Sequence, residues 1–183
     1  MKQYKKFDDE TQIFFSELPL MKPLEASASG GSSVWVFGES MTVHWFDSTR
    51  KKYTLRIPTD FHTDFASTPR WIWWWLPPFD IRYTPACLPH DLGYEKTGYL
   101  TLWVEDARTG LRTPMETRWT RLALDQLMLA GMRSRDVSEL KCQAIYRAVR
   151  VGGGSAWDEA QTKRSQNVDK RRESLGYSNG VRG

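Results

Sequence analysis

The residues best suited to chemistry lie in one short run, Cys87-Leu-Pro-His90-Asp91-Leu-Gly-Tyr94. On a helix His90 and Tyr94 share a face one turn apart, while Asp91 points roughly 100° away. An imidazole beside a carboxylate can take a proton from water when a second carboxylate holds its tautomer. Asp125 is the candidate for that second group. It stands in RWTRLALDQLMLAGM, where its helical neighbours Leu122, Met128 and Leu129 are apolar, so it faces the core or a pocket. A carboxylate there needs a partner, because burying it unpaired is costly. The candidates are His90, Arg121 on the same face, and the N-terminus of the first helix. Asp64, in HTDFASTP, is a third acid that either caps a turn or helix start or assists His90.

These residues support two readings. In one, His90 and Asp125 form a buried hydrogen-bonded pair that pins two helices, and Asp64 is a cap. In the other they form a hydrolytic site with His90 as general base, Asp125 orienting it, and Asp91, Asp64 or Tyr94 assisting. A metal role would place a divalent cation such as calcium on Asp91 and Asp64; no other cofactor is implied. His44 and His62 are dispersed in β or loop positions and read as ordinary polar residues. GxGxxG, GxxxxGK[ST], GxSxG and HExxH patterns are missing from the sequence, which argues against nucleotide binding, serine hydrolase and zincin chemistry.

The elements that must position these side chains are partly legible. Val34–Phe37, Thr42–Phe46 and Tyr53–Ile57 are rich in β-branched and aromatic residues, and Tyr53, Leu55 and Ile57 alternate onto one face. The polar DSTRKK between the second and third suits a hairpin. Gln12–Leu20 is a further strand candidate, and SASGGSS at residues 27–33 reads as a loop. A helix is expected from Thr68-Pro69 to Pro77-Pro78 around WIWWWL. A second follows Thr84-Pro85, with its regular part starting near Leu88 because Pro89 removes a hydrogen bond, and with Gly98 as its stop. Tyr99–Thr113 reads as a β excursion turning at Arg108–Gly110. Thr113-Pro114-Met115-Glu116 has the form of a helix start, for a helix reaching about Gly131. Asp136-Val-Ser-Glu139 offers another capping box. From it Val137, Leu140, Ala144, Ile145, Ala148 and Val149 form an apolar stripe ended by Gly152-Gly153-Gly154. Beyond Trp157 aliphatic residues nearly vanish, and the tail is expected to be disordered alone. The expectation is an α+β fold: a small antiparallel sheet from the N-terminal half packed on three to four helices. Residues 1–30 form an extension or edge strand, 31–157 the core domain, and 158–183 a polar basic tail that is disordered or ordered by a partner.

Composition narrows the function classes. The chain of 183 residues has 40% hydrophobic and 26% charged residues, a globular balance. Nine tryptophans are an excess, and Trp71, Trp73, Trp74 and Trp75 lie together. Such side chains favour cores and interfaces. Net charge is +4, of which the six cations and four anions after Trp157 carry half. The body is therefore nearly neutral, without the strong basic field of a dedicated nucleic-acid domain. Cys87 and Cys142 read as free thiols rather than as a disulfide or zinc framework. The N-terminus carries acids where a signal peptide needs an apolar run, and no segment is long and apolar enough to span a membrane.

Taken in order, TDFASTPRWIWWWLPP, ACLPHDLGY, ALDQLMLAGM and YRAVRVGGGSAW resemble an uncharacterised domain family common in tailed-phage and prophage genomes. The family pattern is TDFAS-x-P, A-x-x-x-HD-x-x-Y, an A-D-x-x-F-like helix, a Gly-containing turn and an A-V-R-x-x-G-G…W ending, and the resemblance covers about residues 30–157. Two departures stand out: Pro89 precedes His90 where the family tends to carry an aliphatic residue, and Leu124-Asp125 and Leu129 replace Ala-Asp and a Phe-type residue. The resemblance implies a virion component, a tail, baseplate or neck subunit assembled with other virion proteins in multiple copies in the host bacterial cytoplasm. The 158–183 tail and the Trp71–Trp75 region are then candidate contacts. Hydrolysis of lipid or cell-envelope material through His90 and Asp125 is the alternative, and a host-directed protein absent from particles is a third. Cys-x-x-His-Asp-x-x-Tyr also resembles the active-site helix of secreted phospholipases. Those roles would make His90 the activator of water, Asp91 a calcium ligand and Asp125 the orienting acid. The dense disulfides and Gly-rich calcium loop of those enzymes have no counterpart here.

Overall fold

The computed structural model describes residues 2–3, 7, 11–19, 21–23, 35–63, 74–77 and 79–174. The strands are β1 (Lys2–Gln3), β2 (Ile13–Phe15), β3 (Met21–Pro23), β4 (Trp35–Phe37), β5 (Met41–Phe46), β6 (Lys52–Ile57), β7 (His62–Thr63), β8 (Tyr99–Glu105) and β9 (Arg112–Arg118). The helices are α1 (Thr84–Glu95), α2 (Arg121–Arg133) and α3 (Glu139–Ser174). A six-stranded sheet has the order β1-β9-β8-β6-β5-β2, antiparallel except where β1 joins β9 in parallel, and β3-β4-β7 form a small second sheet. The fold is α+β, as the sequence predicts.

The period-2 pattern decides which face of the large sheet is covered. Met41, Val43 and Trp45 of β5, Leu55 and Ile57 of β6, and Leu100 and Leu102 of β8 are buried against α1 and α2. Asp47 closes the β5–β6 hairpin by accepting the Thr49 and Lys51 amides, with Arg50 in the left-handed region at φ 61°. A second cluster, Tyr83, Cys87, Met128, Met132, Cys142 and Ile145, fills the space among the three helices. Both cysteines are buried free thiols.

Several local expectations are corrected. Thr113-Pro114-Met115-Glu116 is strand, not helix start: it lies within β9, and α2 begins only at Arg121, capped by Thr120 accepting from the Ala123 amide. The strand tolerates Pro114 because of its register. The Asp106 amide bonds Leu111 O and the Trp119 amide bonds Gly98 O, so alternate residues of β9 from Leu111 to Trp119 bond β8. Pro114 falls between them, with its missing N–H turned outward, beyond the reach of β1 at Thr117 and Arg118. Pro89 does not delay α1, which runs from Thr84. Burial of Ala86, Leu88 and Leu92 holds the turn that lacks a hydrogen bond. Gly98 does stop it: at φ 80° its amide reaches back to Gly93 O.

The three glycines at 152–154 do not end α3, which continues to Ser174. The helix opens at Glu139, with the Cys142 amide bonded to Ser138 O, while Asp136 sits in the left-handed region instead of capping. Its inward stripe is Cys142, Ile145 and Val149, joined by Val137 just before the helix, whereas Leu140 is 72% exposed. Of the expected Trp71–Trp75 helix, only Trp74 and Trp75 are described. They lie in a turn, Trp74 exposed and Trp75 packed against the helical cluster. Among the described residues the fully buried tryptophans are Trp45 and Trp119.

Candidate functional site

Helices α1 and α2 cross so closely that a Cβ on Gly93 would fall 2.2 Å from Leu124 Cδ2. This close approach brings His90 and Asp125, one turn before Gly93 and one residue after Leu124, face to face. His90 Nε2 lies 2.9 Å from Asp125 Oδ1, with the imidazole almost fully buried and Asp125 wholly so. Tyr94, one turn after His90, stacks at 4.3 Å between ring centres and donates its hydroxyl to the same Oδ1 at 3.1 Å. The other carboxylate oxygen accepts from Arg150 Nη1 at 2.6 Å. Arg121, one turn before Asp125, has Nε 3.9 Å from Oδ2, donates Nε to the Tyr94 hydroxyl, and donates Nη2 to the Val149 and Arg150 carbonyls. Asp125 therefore ties α1, α2 and α3 together.

On the far side of the imidazole, Nδ1 is 3.3 Å from Asp91 Oδ1. Asp91 is anchored by the Thr63 hydroxyl, which donates to its Oδ2 at 2.7 Å. Both ring nitrogens thus face carboxylates. Burial lowers the affinity of His90 for a second proton, but the hydrogen bonds to Asp125 and Asp91 outweigh it and raise its pKa above the ordinary value. For Asp125, burial works to raise the pKa, and the His90 and Arg150 hydrogen bonds reverse it, holding the carboxyl below its usual range. Tyr94 is pushed up to about 12, first by burial and then by the Asp125 charge, so it stays a donor at neutral pH. The arrangement is an imidazole held between two carboxylates, which favour its protonated form, and braced by two guanidinium groups. When protonated, the ring has no nitrogen lone pair for general-base work.

The structure brings together His90 and Tyr94, expected on one face, with Asp125 and Arg121, and of the alternative partners offered for Asp125 it uses His90 and Arg121; Asp91, off the shared face, contacts the other ring nitrogen. Asp64 lies outside the described residues. Among the described residues no group of three His, Cys, Asp or Glu side chains is set to hold a metal ion; the divalent-cation alternative on Asp91 and Asp64 involves a residue outside them. His44 stacks on Phe14 at 5.1 Å, and His62 is exposed in β7; neither touches the network. Sequence reasoning misses Arg150 and Thr63. The signal for Arg150 is a cation beside Val149, next to glycines that let α3 come close: a Cβ on Gly153 would lie 2.9 Å from the Tyr94 hydroxyl.

Residues 41–149 match the family described as "Protein of unknown function (DUF1353)", and the chain belongs to that family. The match contains His90, Asp91, Tyr94 and Asp125, and stops one residue short of Arg150. No curated protein and no solved structure matches.

Proposed function

We propose that this chain is an assembly subunit of a tailed-phage virion, working through protein–protein contacts, with the His90–Asp125–Arg150 network as the latch that fixes α3 on the domain. The observation that carries the reading is the length and polarity of α3. Its 36 residues span about 54 Å. Past Trp157 the helix touches the body through Gln161, which donates to Thr97 O, and Arg164, which sits 3.8 Å over the Tyr99 ring. A polar helix extended this way gains little from its own domain, and contact with neighbouring subunits supplies the missing stabilisation. Exposed Trp74 at 85% and Val151 at 87% add apolar points for such contacts. The phage setting rests on the sequence resemblance. Mass spectrometry of purified particles should find the chain at a fixed copy number; detection in lysate alone would refute the proposal.

A hydrolase acting on lipid or cell-envelope material is the second reading. It is favoured by the 3.3 Å spacing at Nδ1 and by Asp91, whose side chain keeps 24% of its accessible surface. If Asp91 swung aside, it would release a nitrogen held in tautomer by Asp125. On that reading His90→Gln abolishes turnover of an envelope or lipid substrate while the fold persists. On the assembly reading the same change loosens the domain, and no turnover exists to lose.

A further inference from the structure

The large sheet has a second face, turned away from α1 and α2, with α3 reaching its Tyr99 corner through Arg164. Strand register aligns its side chains in rows across the sheet. One row runs Phe14, His44, Thr54, Trp103 and Pro114, and the next includes Phe46, Lys52, Glu105 and Arg112. The rings are accessible: Phe14 is 42% exposed, Phe46 47% and Trp103 37%. His44 lies flat on Phe14, with 12° between planes, and Phe46 meets both edge-on. Cations are interleaved with these rings. Arg112 sits 5.2 Å over Trp103, Arg118 5.3 Å over Tyr99, and Arg56 is exposed on β6. The carboxylates on these strand positions are Glu105, opposite Lys52, and Glu116, which accepts from the Thr101 hydroxyl at 2.7 Å. Cations therefore outnumber anions here, although the body as a whole is nearly neutral.

The face also has a cleft. Pairing of β6 with β8 extends from Lys52 to Leu55, and beyond it the two strands border a groove of about 470 Å³. Arg56 and Lys96 lie on its rim, Tyr99 and Trp103 on its walls, and Leu92 and Leu100 also line it.

We propose that this outer face binds single-stranded nucleic acid, with bases stacked on Phe14, Phe46 and Trp103 and phosphates held by Arg56, Arg112 and Arg118. Exposed rings on a sheet offer π-faces that every unpaired base can use, and guanidinium groups beside them supply positive charge for the backbone phosphates. A duplex hides its base faces and would leave the rings unused. The inference does not depend on the assembly role.

The test uses the full chain, a fluorescein-labelled oligothymidylate of about 15 nucleotides, and anisotropy over a salt series. Binding should quench tryptophan fluorescence and weaken as salt rises. Trp103→Ala should weaken it by about tenfold or more, and Phe46→Ala serves as a second probe should the first variant fail to fold. Arg112→Ala should both weaken binding and flatten the salt dependence by about one phosphate contact. Lys170→Ala/Arg171→Ala/Arg172→Ala, in the tail, should leave affinity within about twofold. No anisotropy change at about 100 µM protein overturns the proposal. So does loss that follows the tail variant instead of Trp103, or equal binding of duplex DNA, heparin or anionic vesicles that Trp103→Ala does not disturb.

Discussion

Asp125 is a junction of the helices: four donors from three helices converge on it or on its partner Tyr94. Removing one partner of a buried ion pair strands the remaining charges in a dry environment. Asp125→Asn should accordingly cost about 3–5 kcal/mol, read as a lowered denaturation midpoint with unchanged slope. The pH dependence follows from the two shifts. The raised pKa of His90 makes its contribution complete below its ordinary value of 6.5 and lost as pH rises through the higher folded value. The lowered pKa of Asp125 makes its contribution complete above 3.8 and lost as pH falls through the folded value. Thermal unfolding from pH 5 to 9 should therefore show the native protein losing stability above about pH 6.5 relative to His90→Gln; parallel curves would contradict this. The His90–Asp125 pair was legible because an acid amid leucines demands a partner. Arg150 was not, since nothing local says that a residue on α3 folds back onto α2.

Among the elements, local signals failed where tertiary pairing outweighed them. Thr113-Pro114-Met115-Glu116 satisfies the chemistry of a helix start, yet β8 offers a full ladder to those residues, and Pro114 falls where no hydrogen bond is lost. The glycines at 152–154 look like a stop, but the helix runs through them, and only Gly153 is held small by a close neighbour. A Cβ on Gly152 would meet nothing within 4 Å, whereas one on Gly153 would press the Tyr94 hydroxyl, which Arg121 and Asp125 hold in place. Gly152→Ala should then stabilise by about 0.5–1 kcal/mol through helix propensity alone. Gly153→Ala should forfeit that gain and destabilise the network, a contrast that paired thermal melts resolve. Gly93→Ala should be worse, costing about 1–3 kcal/mol by forcing α1 off Leu124. Strand β6 was readable from its period-2 alternation and α1 from its Thr-Pro start and Gly98 stop, whereas α2 was recognised with a start several residues too early.

For the whole molecule, composition hides what folding sorts. The nearly neutral body separates into an ion-paired interior between helices and an outer sheet face where arginines lie beside aromatic rings. Sequence alone could not assign that sorting, since it depends on register between strands as far apart as β2 and β9. Oligomeric state belongs to this scale too. If α3 is an assembly arm, shortening the chain after Trp157 should leave the domain folded by circular dichroism while abolishing incorporation into particles. The latch that orients the arm turns on the charge of one imidazole. Nitrogen NMR of the His90 ring measures that charge directly: its titration midpoint should lie above the ordinary 6.5, so that at pH 6.5 most rings carry both protons. A ring mostly neutral at pH 6.5, with one nitrogen free, would contradict the latch and favour a base poised for catalysis.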